Sequence, residues 1–282
     1  MLLQLSSTVN TKDGEADRAI TQFLSSRREG LSSTTIDFYK AYLVRSVPQL
    51  GLTPTPSAVN ALLNSLSCSS GGKHAYFRAL RVFYRWVYSP RSGLDMRGRT
   101  NPMEWVDAPK VPKLILPSLS REQVEVLISK ARNIRDKAVI ALLAESGLRL
   151  SELAGLGESD IDWHTRTVRV LGKGNKEGYA PFGELSERYL REWLVRHEAN
   201  GNIWGVNGNG IKTMLRRLEA ATGLPCNPHT FRRTFACLLR KAGVDTMTIK
   251  DLGRWESLEM VQRYTRSVRF EDNLRFYKAP LS

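Results

Sequence analysis

The sequence predicts a mainly α-helical protein of two domains, the second carrying a small antiparallel β-sheet. Three observations lead there. The chain has 282 residues, more than a single core usually encloses. Near its middle, Pro109, Pro112 and Pro117 interrupt it; each lacks a backbone donor and favours an extended path over a helix. Strand-like alternation is confined to one stretch around residues 165–171, whereas helical spacing of apolar residues recurs elsewhere. Residues 1–108 are therefore expected to form a helical domain, 109–117 a proline-rich linker, and 118–282 a second domain.

Charge narrows the partner class. The 42 Lys and Arg outnumber the 28 Asp and Glu, for a formal charge of +14, a field that concentrates polyanions at the surface. A basic surface kept for solubility is the bland alternative, so the position of the charges has to decide. Cys68, Cys226 and Cys237 show no paired spacing, which fits a reducing compartment and gives no sign of a zinc site. The apolar start, Met1 to Leu5, has no basic segment ahead of it and is too short for a secretory leader. The longest apolar run, 138–144, suits a buried helix and is far too short to span a bilayer. A cytoplasmic protein without membrane insertion is the expectation.

In the first domain, helices are expected over 19–26, 34–47 and 56–66, with Gly and Pro in the connections. Between Lys73 and Arg99 stand Lys73, Arg78, Arg81, Arg85, Arg91, Arg97 and Arg99 against one acid, Asp95, interleaved with Tyr76, Phe77, Phe83, Tyr84, Trp86 and Tyr88. On a helix, Phe77, Leu80, Tyr84 and Val87 share one arc, and Arg78, Arg81 and Arg85 share another roughly 110° away. The aromatics fall on the apolar arc and are assigned to the core rather than to base stacking. Lys73, Arg78, Arg81 and Arg85 are the candidate nucleic-acid contacts of this half.

The second domain opens with a helix signal. Ser120 and Gln123 have capping-box spacing, and Leu119 can staple onto Val124. Residues 165–171 alternate as a strand, 172–178 supply a glycine-rich turn, 179–182 can return antiparallel, and 160–163 can add a further strand. Helices are expected again over 186–198, 210–221, 230–242, 245–252 and 257–268. The tail offers Phe270, Leu274, Phe276 and Tyr277 for burial, either within its own subunit or on a neighbouring protomer.

Four short segments carry the chemistry: Gly147-Leu148-Arg149-Leu150-Ser151-Glu152, Gly172-Lys173-Gly174-Asn175-Lys176, His229-Thr230-Phe231-Arg232, and Trp255 followed nine residues on by Tyr264. In this order they resemble the catalytic signature of the tyrosine recombinase, or phage integrase, family, and the likeness extends through the N-terminal half. The resemblance implies a two-domain DNA clamp, a helical core-binding domain joined to an integrase-type catalytic domain. It implies catalysis by Arg149, Lys173, His229, Arg232, Trp255 and Tyr264, with no metal and no cofactor.

These residue types suit phosphoryl chemistry. Attack on a phosphodiester gathers negative charge on the non-bridging oxygens, which planar guanidinium groups answer with paired donors. Arg149 and Arg232 take that role in the resemblance, with Glu152 as the acid that braces Arg149; an ordinary salt bridge between the two is compatible with it. Lys173 would protonate the departing 5′ oxygen, and Lys176 in the same turn is its rival. His229, three residues before Arg232, shares its side of a helix and titrates in a useful range. Tyr264 would be the nucleophile, its phenol ordinarily ionising near about pH 10 and needing neighbouring cations to lose its proton. Trp255 stands where relatives carry histidine or tryptophan and can donate one hydrogen bond.

Two positions depart from the family pattern. Gly178 replaces a common basic residue, which puts one DNA contact in doubt, and Arg254 stands where glycine is frequent. Arg254, Arg233 and Lys176 join the candidate DNA contacts. The resemblance further implies double-stranded DNA as partner and a homotetramer on synapsed sites, with a monomer expected in free solution. A mobile-element integrase, a chromosome-dimer resolvase, a type IB topoisomerase and a non-catalytic DNA-binding regulator remain as readings. The run from Trp255 to Tyr264 favours the first.

Overall fold

The computed structural model describes residues 7–112, 114–172, 177–197 and 201–276, with side chains described from residue 14 onward. The chain divides into two compact units, Met1–Lys113 and Leu114–Ser282. Among the described residues no helix is long and apolar enough to cross a membrane. The architecture is mainly helical with a small antiparallel sheet.

The first unit holds α1 (Ser7–Ser25), α2 (Ser33–Leu50), α3 (Pro56–Ser65) and α4 (Ser70–Val87). Ser32, Thr55 and Ser69 cap α2, α3 and α4, each hydroxyl accepting from a backbone N–H of the first turn. Helix α1 begins well before the expected 19, because the polar run that precedes Ala16 has no apolar spacing to reveal it. The core is aromatic. Phe23 meets Phe83 and Trp86 edge-on, with ring centroids 5.5 and 5.6 Å apart. The Tyr84 hydroxyl, buried with its ring, donates to the Gly51 carbonyl at 2.7 Å, which satisfies a polar group that would otherwise be orphaned. Phe77, Leu80, Tyr84 and Val87 are buried while Arg78, Arg81 and Arg85 are exposed, so α4 divides as its periodicity predicts.

The second unit starts with α5 (Arg121–Lys130), whose Ser120–Gln123 capping box forms in both directions. Leu119 and Val124 are both buried in the same core. Helix α6 (Ile134–Ser146) runs through the centre of the unit and is buried from Ala138 to Ala144, as an all-round apolar helix must be. A five-residue helix, α7 (Leu150–Ala154), follows. It was not expected, being too short to show periodicity. Strands β1 (Ile161–Asp162), β2 (Thr167–Leu171) and β3 (Glu177–Pro181) form the sheet in the order β1-β2-β3, all antiparallel, with Val168 opposite Ala180 and Arg169 opposite Tyr179.

Helices α8 (Glu184–Val195), α9 (Gly208–Thr222), α10 (Pro228–Lys241), α11 (Thr246–Leu252), α12 (Leu258–Tyr264) and α13 (Phe270–Leu274) complete the unit. Helix α12 ends four residues before the expected 268, so Tyr264 sits on its last position instead of its interior. The short α13 leaves Phe270 and Leu274 largely exposed; Tyr277 lies outside the described residues. A separate apolar cluster of Phe235, Ala236, Ile249, Trp255 and Val261, with Tyr264 packed against it, joins α10, α11 and α12. That cluster forms the floor of the candidate site.

Candidate active site

Helix α6 is stopped by Gly147, whose φ of 58° is left-handed and whose N–H returns to Leu143. A Cβ here would stand 2.5 Å from the Phe235 ring, so both the backbone angle and the close approach require glycine. Two residues later Arg149 occupies the N-cap of α7. Its backbone N–H donates to Glu152 Oε2 at 2.8 Å and its Nη1 to Glu152 Oε1 at 2.6 Å. Glu152 is almost wholly inaccessible. Its second oxygen also accepts from Arg254 Nη2 at 3.0 Å. Burial by itself raises the carboxyl pKa, but the Arg149 N–H and the charges of Arg254 and Arg149 outweigh it and hold Glu152 below its ordinary value.

Arg232 comes from α10 and is 3% exposed. It donates through Nη1 to the Gly147 carbonyl and through Nη2 to the Gly253 carbonyl, the latter at 2.5 Å. Its guanidinium lies 4.4 Å above the Trp255 ring, a favourable placement of a cation on an aromatic face. Burial, then repulsion from Arg149 and Arg254, lowers its pKa to about 10; at neutral pH it remains a cation. Gly253 makes this stacking possible, since a Cβ there would overlap the Trp255 ring at 1.8 Å.

The Trp255 ring is 5.5 Å from that of Tyr264, tilted by 50°. Its indole N–H is buried and has no hydrogen-bond partner among the described residues. Tyr264 is half-buried at the end of α12, where its backbone carbonyl accepts from the Cys237 thiol at 3.2 Å. Burial lowers the pKa of Arg233, as it does that of Arg232, and the Tyr264 phenol opposes the shift in both. His229, at the start of α10, keeps an exposed ring; partial desolvation, then the charges of Arg233 and Arg232, depress its pKa. The Asn227 side chain caps the same helix by accepting from the Thr230 N–H at 3.0 Å.

Arg149, Glu152, Arg232, Trp255 and Tyr264 thus converge, with His229 beside Arg232. Lys173 and Lys176 lie outside the described residues. The expectation of a DNA contact at Arg233 gives way to an internal role: the side chain is buried, donating from Nε to Pro117 O and from Nη2 to Thr230 Oγ1, both at 2.9 Å. Together with Thr234 Oγ1, which accepts from the Leu119 N–H at 2.9 Å, it pins the segment leading into α5. Arg254 likewise turns inward, to Glu152. In the other unit, Arg78, Arg81 and Arg85 stay exposed, whereas Lys73 directs its ammonium to the Asn64 carbonyl at 2.9 Å. The carbonyls of Gly147 and Gly253 are the site components that residue chemistry could not announce, because backbone oxygens carry no sequence signature. Among the described residues no cluster of His, Cys, Asp and Glu could hold a metal ion.

Three guanidinium groups around one carboxylate leave the pocket positive, and the orphaned indole N–H adds a donor. The arrangement is complementary to an anion with several acceptor oxygens, presented next to a tyrosine hydroxyl. Residues 117–269 match the phage integrase family, and the chain belongs to that family. It is 28% identical to the tyrosine recombinase XerC of Syntrophus aciditrophicus (strain SB), over 66% of each chain. It is 36% identical to the tyrosine recombinase XerC of Haemophilus influenzae (strain PittEE), over 59% of this chain and 62% of that one. The chain therefore spans a little under two thirds of the length of these relatives. A lambda integrase dimer bound to a COC′ core site shares the fold, with a TM-score of 0.76 at 16% identity over 99% of this chain and 84% of that one.

Proposed function

We propose that the chain is a site-specific DNA recombinase that cuts and rejoins double-stranded DNA through a covalent bond to Tyr264. The observation that carries this reading is the excess of positive charge, the buried Arg232 and Arg254 and the partly exposed Arg149 against Glu152, placed with a Trp255 N–H that has no partner among the described residues, beside the Tyr264 ring. An anion bound there completes the hydrogen bonding and relieves the repulsion among the arginines.

In the proposed step the Tyr264 oxygen attacks a DNA phosphorus, a P–O bond to Tyr264 forms, and the bond to the 5′ oxygen breaks. The phenol proton leaves as the bond forms, to His229 or to water, and the departing 5′ oxygen takes a proton from Lys173. A 3′-phosphotyrosyl link and a 5′ hydroxyl result. Because one phosphate ester replaces another, the bond energy is kept and attack by a 5′ hydroxyl of another strand reverses the step without ATP. Arg149 and Arg232 stabilise the charge that builds on the non-bridging oxygens, and Trp255 donates to one of them. Four protomers would synapse two sites, and free protein would be monomeric and cytoplasmic.

The run from Trp255 to Tyr264 supports the integrase of a mobile element as the biological role. The relatives named tyrosine recombinase XerC favour a second reading, a cellular chromosome-dimer resolvase. Incubating the protein with genomic DNA of its source, denaturing, and sequencing the fragments that stay attached tests the chemistry and identifies the sites. Attachment is expected for the wild type and must vanish in Tyr264→Phe with DNA binding preserved. Attachment that survives in that variant, or none in the wild type, overturns the reading.

A further inference from the structure

Arg254 takes no step in the chemistry described so far, yet its two terminal nitrogens and its backbone carbonyl are all engaged, with only its buried Nε without a partner among the described residues. Its φ is 54°, the left-handed region that glycine enters without steric cost and that other residues avoid. Its side chain is only 14% exposed. One fork of the guanidinium, Nη2, donates to Glu152 Oε2 at 3.0 Å; the other, Nη1, donates to the carbonyls of Leu252 at 3.1 Å and Tyr179 at 3.3 Å. Its own backbone carbonyl accepts from Arg149 Nη2 at 3.2 Å. The aliphatic stem runs over Gly178 on β3, where a Cβ would come within 3.1 Å of Arg254 Cδ. Residue 254 therefore holds Arg149 twice, directly through its carbonyl and indirectly by occupying the second oxygen of Glu152. Gly178 leaves the groove in which the stem lies.

We propose that Arg254 is a positioning residue that fixes the Glu152 carboxylate, and through it the Arg149 guanidinium, in the orientation needed to meet the scissile phosphate. The proposal rests on the reading of this pocket as a phosphoryl-transfer site. It assigns Arg254 to Arg149 instead of to DNA. A carboxylate held by one guanidinium can swing with it, whereas one clamped by two, with a backbone N–H between them, is locked. A fork is required for this. Lysine would keep the charge but could not reach Glu152 and the Tyr179 carbonyl together.

The test compares wild type, Arg254→Lys, Arg254→Gly, Glu152→Gln and the Arg254→Gly, Glu152→Gln pair. On a DNA fragment recovered by attachment to the wild type, the two Arg254 variants are expected to bind within about twofold of wild type with an unchanged salt slope, and to cleave at saturating DNA at least about tenfold more slowly. In the Glu152→Gln background, Arg254→Gly should add little further loss. Weaker binding with a salt slope reduced by about one, and unimpaired cleavage at saturation, would instead make Arg254 a phosphate contact and overturn the proposal. A fall in melting temperature alone, with cleavage intact, overturns it equally. Should Arg254→Gly fail to fold, Arg254→Lys carries the same comparison. Melting of the five proteins without DNA tests the pair independently of activity: strictly additive shifts overturn the proposal, while coupling supports it. Absence of attachment in the wild type counts against the proposed function, and Arg254 variants that cleave as fast as an active wild type count against the present inference.

Discussion

Helix α4 and the pocket around Glu152 both concentrate arginine, and they use it in opposite ways. On α4, Arg78, Arg81 and Arg85 stand exposed on the side away from Phe77, Leu80, Tyr84 and Val87, with Arg78 over the Phe38 ring. Around Glu152, Arg232 is 3% exposed and the Arg254 side chain 14%, each donating to a backbone carbonyl. The exposed group offers long-range attraction that salt screens. The buried group offers short-range, oriented donors in a poorly solvated pocket, where each is worth far more. One set suits affinity and the other suits chemistry, although the side chain is the same.

The largest effect should come from breaking the buried set. Arg232→Gln removes the cation and leaves the Gly147 and Gly253 carbonyls to an amide; single-turnover cleavage should fall by roughly 10² to 10³, the usual cost of one transition-state donor. A drop as small as that of an exposed arginine would erase the distinction between the two sets.

Glu152 comes next. Its carboxyl is held below its ordinary pKa near 4.5, so its contribution to stability is complete above that value and disappears as pH falls through the lower folded value. Glu152→Gln should cost roughly 3 kcal/mol at neutral pH, in keeping with a broken buried ion pair. The difference from wild type in chemical unfolding should shrink as the pH falls below that ordinary value and through the lower folded one. A constant difference from neutral to acid pH would show that the carboxylate charge is not what matters.

For the exposed set, replacing Arg78, Arg81 and Arg85 together by Gln should leave melting nearly unchanged and reduce the slope of log affinity against log salt by about 0.9 per arginine that meets a phosphate. An unchanged slope would remove α4 from the DNA surface. The smallest effect is inside the same unit: Tyr84→Phe should cost about 1 kcal/mol in urea unfolding, since it orphans the Gly51 carbonyl that the hydroxyl now satisfies, without touching DNA affinity.

Legibility in the sequence followed the locality of the cause. The capping box at Ser120 and Gln123, the buried run of α6 and the antiparallel pairing of β2 with β3 are made by neighbours along the chain, and they were readable. The C-terminal end of α12 and the existence of α7 and α13 were not, because segments of five to seven residues carry too few apolar positions to set a period. Arg233 misled for a different reason. A His-Thr-Phe-Arg-Arg run offers two adjacent arginines with the same chemistry, and only the packing of α10 sends one onto the Trp255 ring and the other to Pro117.

By itself the order of residues determined the mainly helical class and the amphipathic division of α4, and its resemblance to the phage integrase family picked out four segments as candidates for the site. Each of those depends on side-chain type and spacing along one stretch of chain. Only the tertiary structure decided that Gly147 and Gly253 lend their carbonyls to Arg232, that Arg254 faces Glu152 across 102 positions at 3.0 Å, and that the Trp255 indole is buried without a partner among the described residues. Contacts between distant segments are set by how helices pack, and backbone oxygens look alike in every residue until packing aims them.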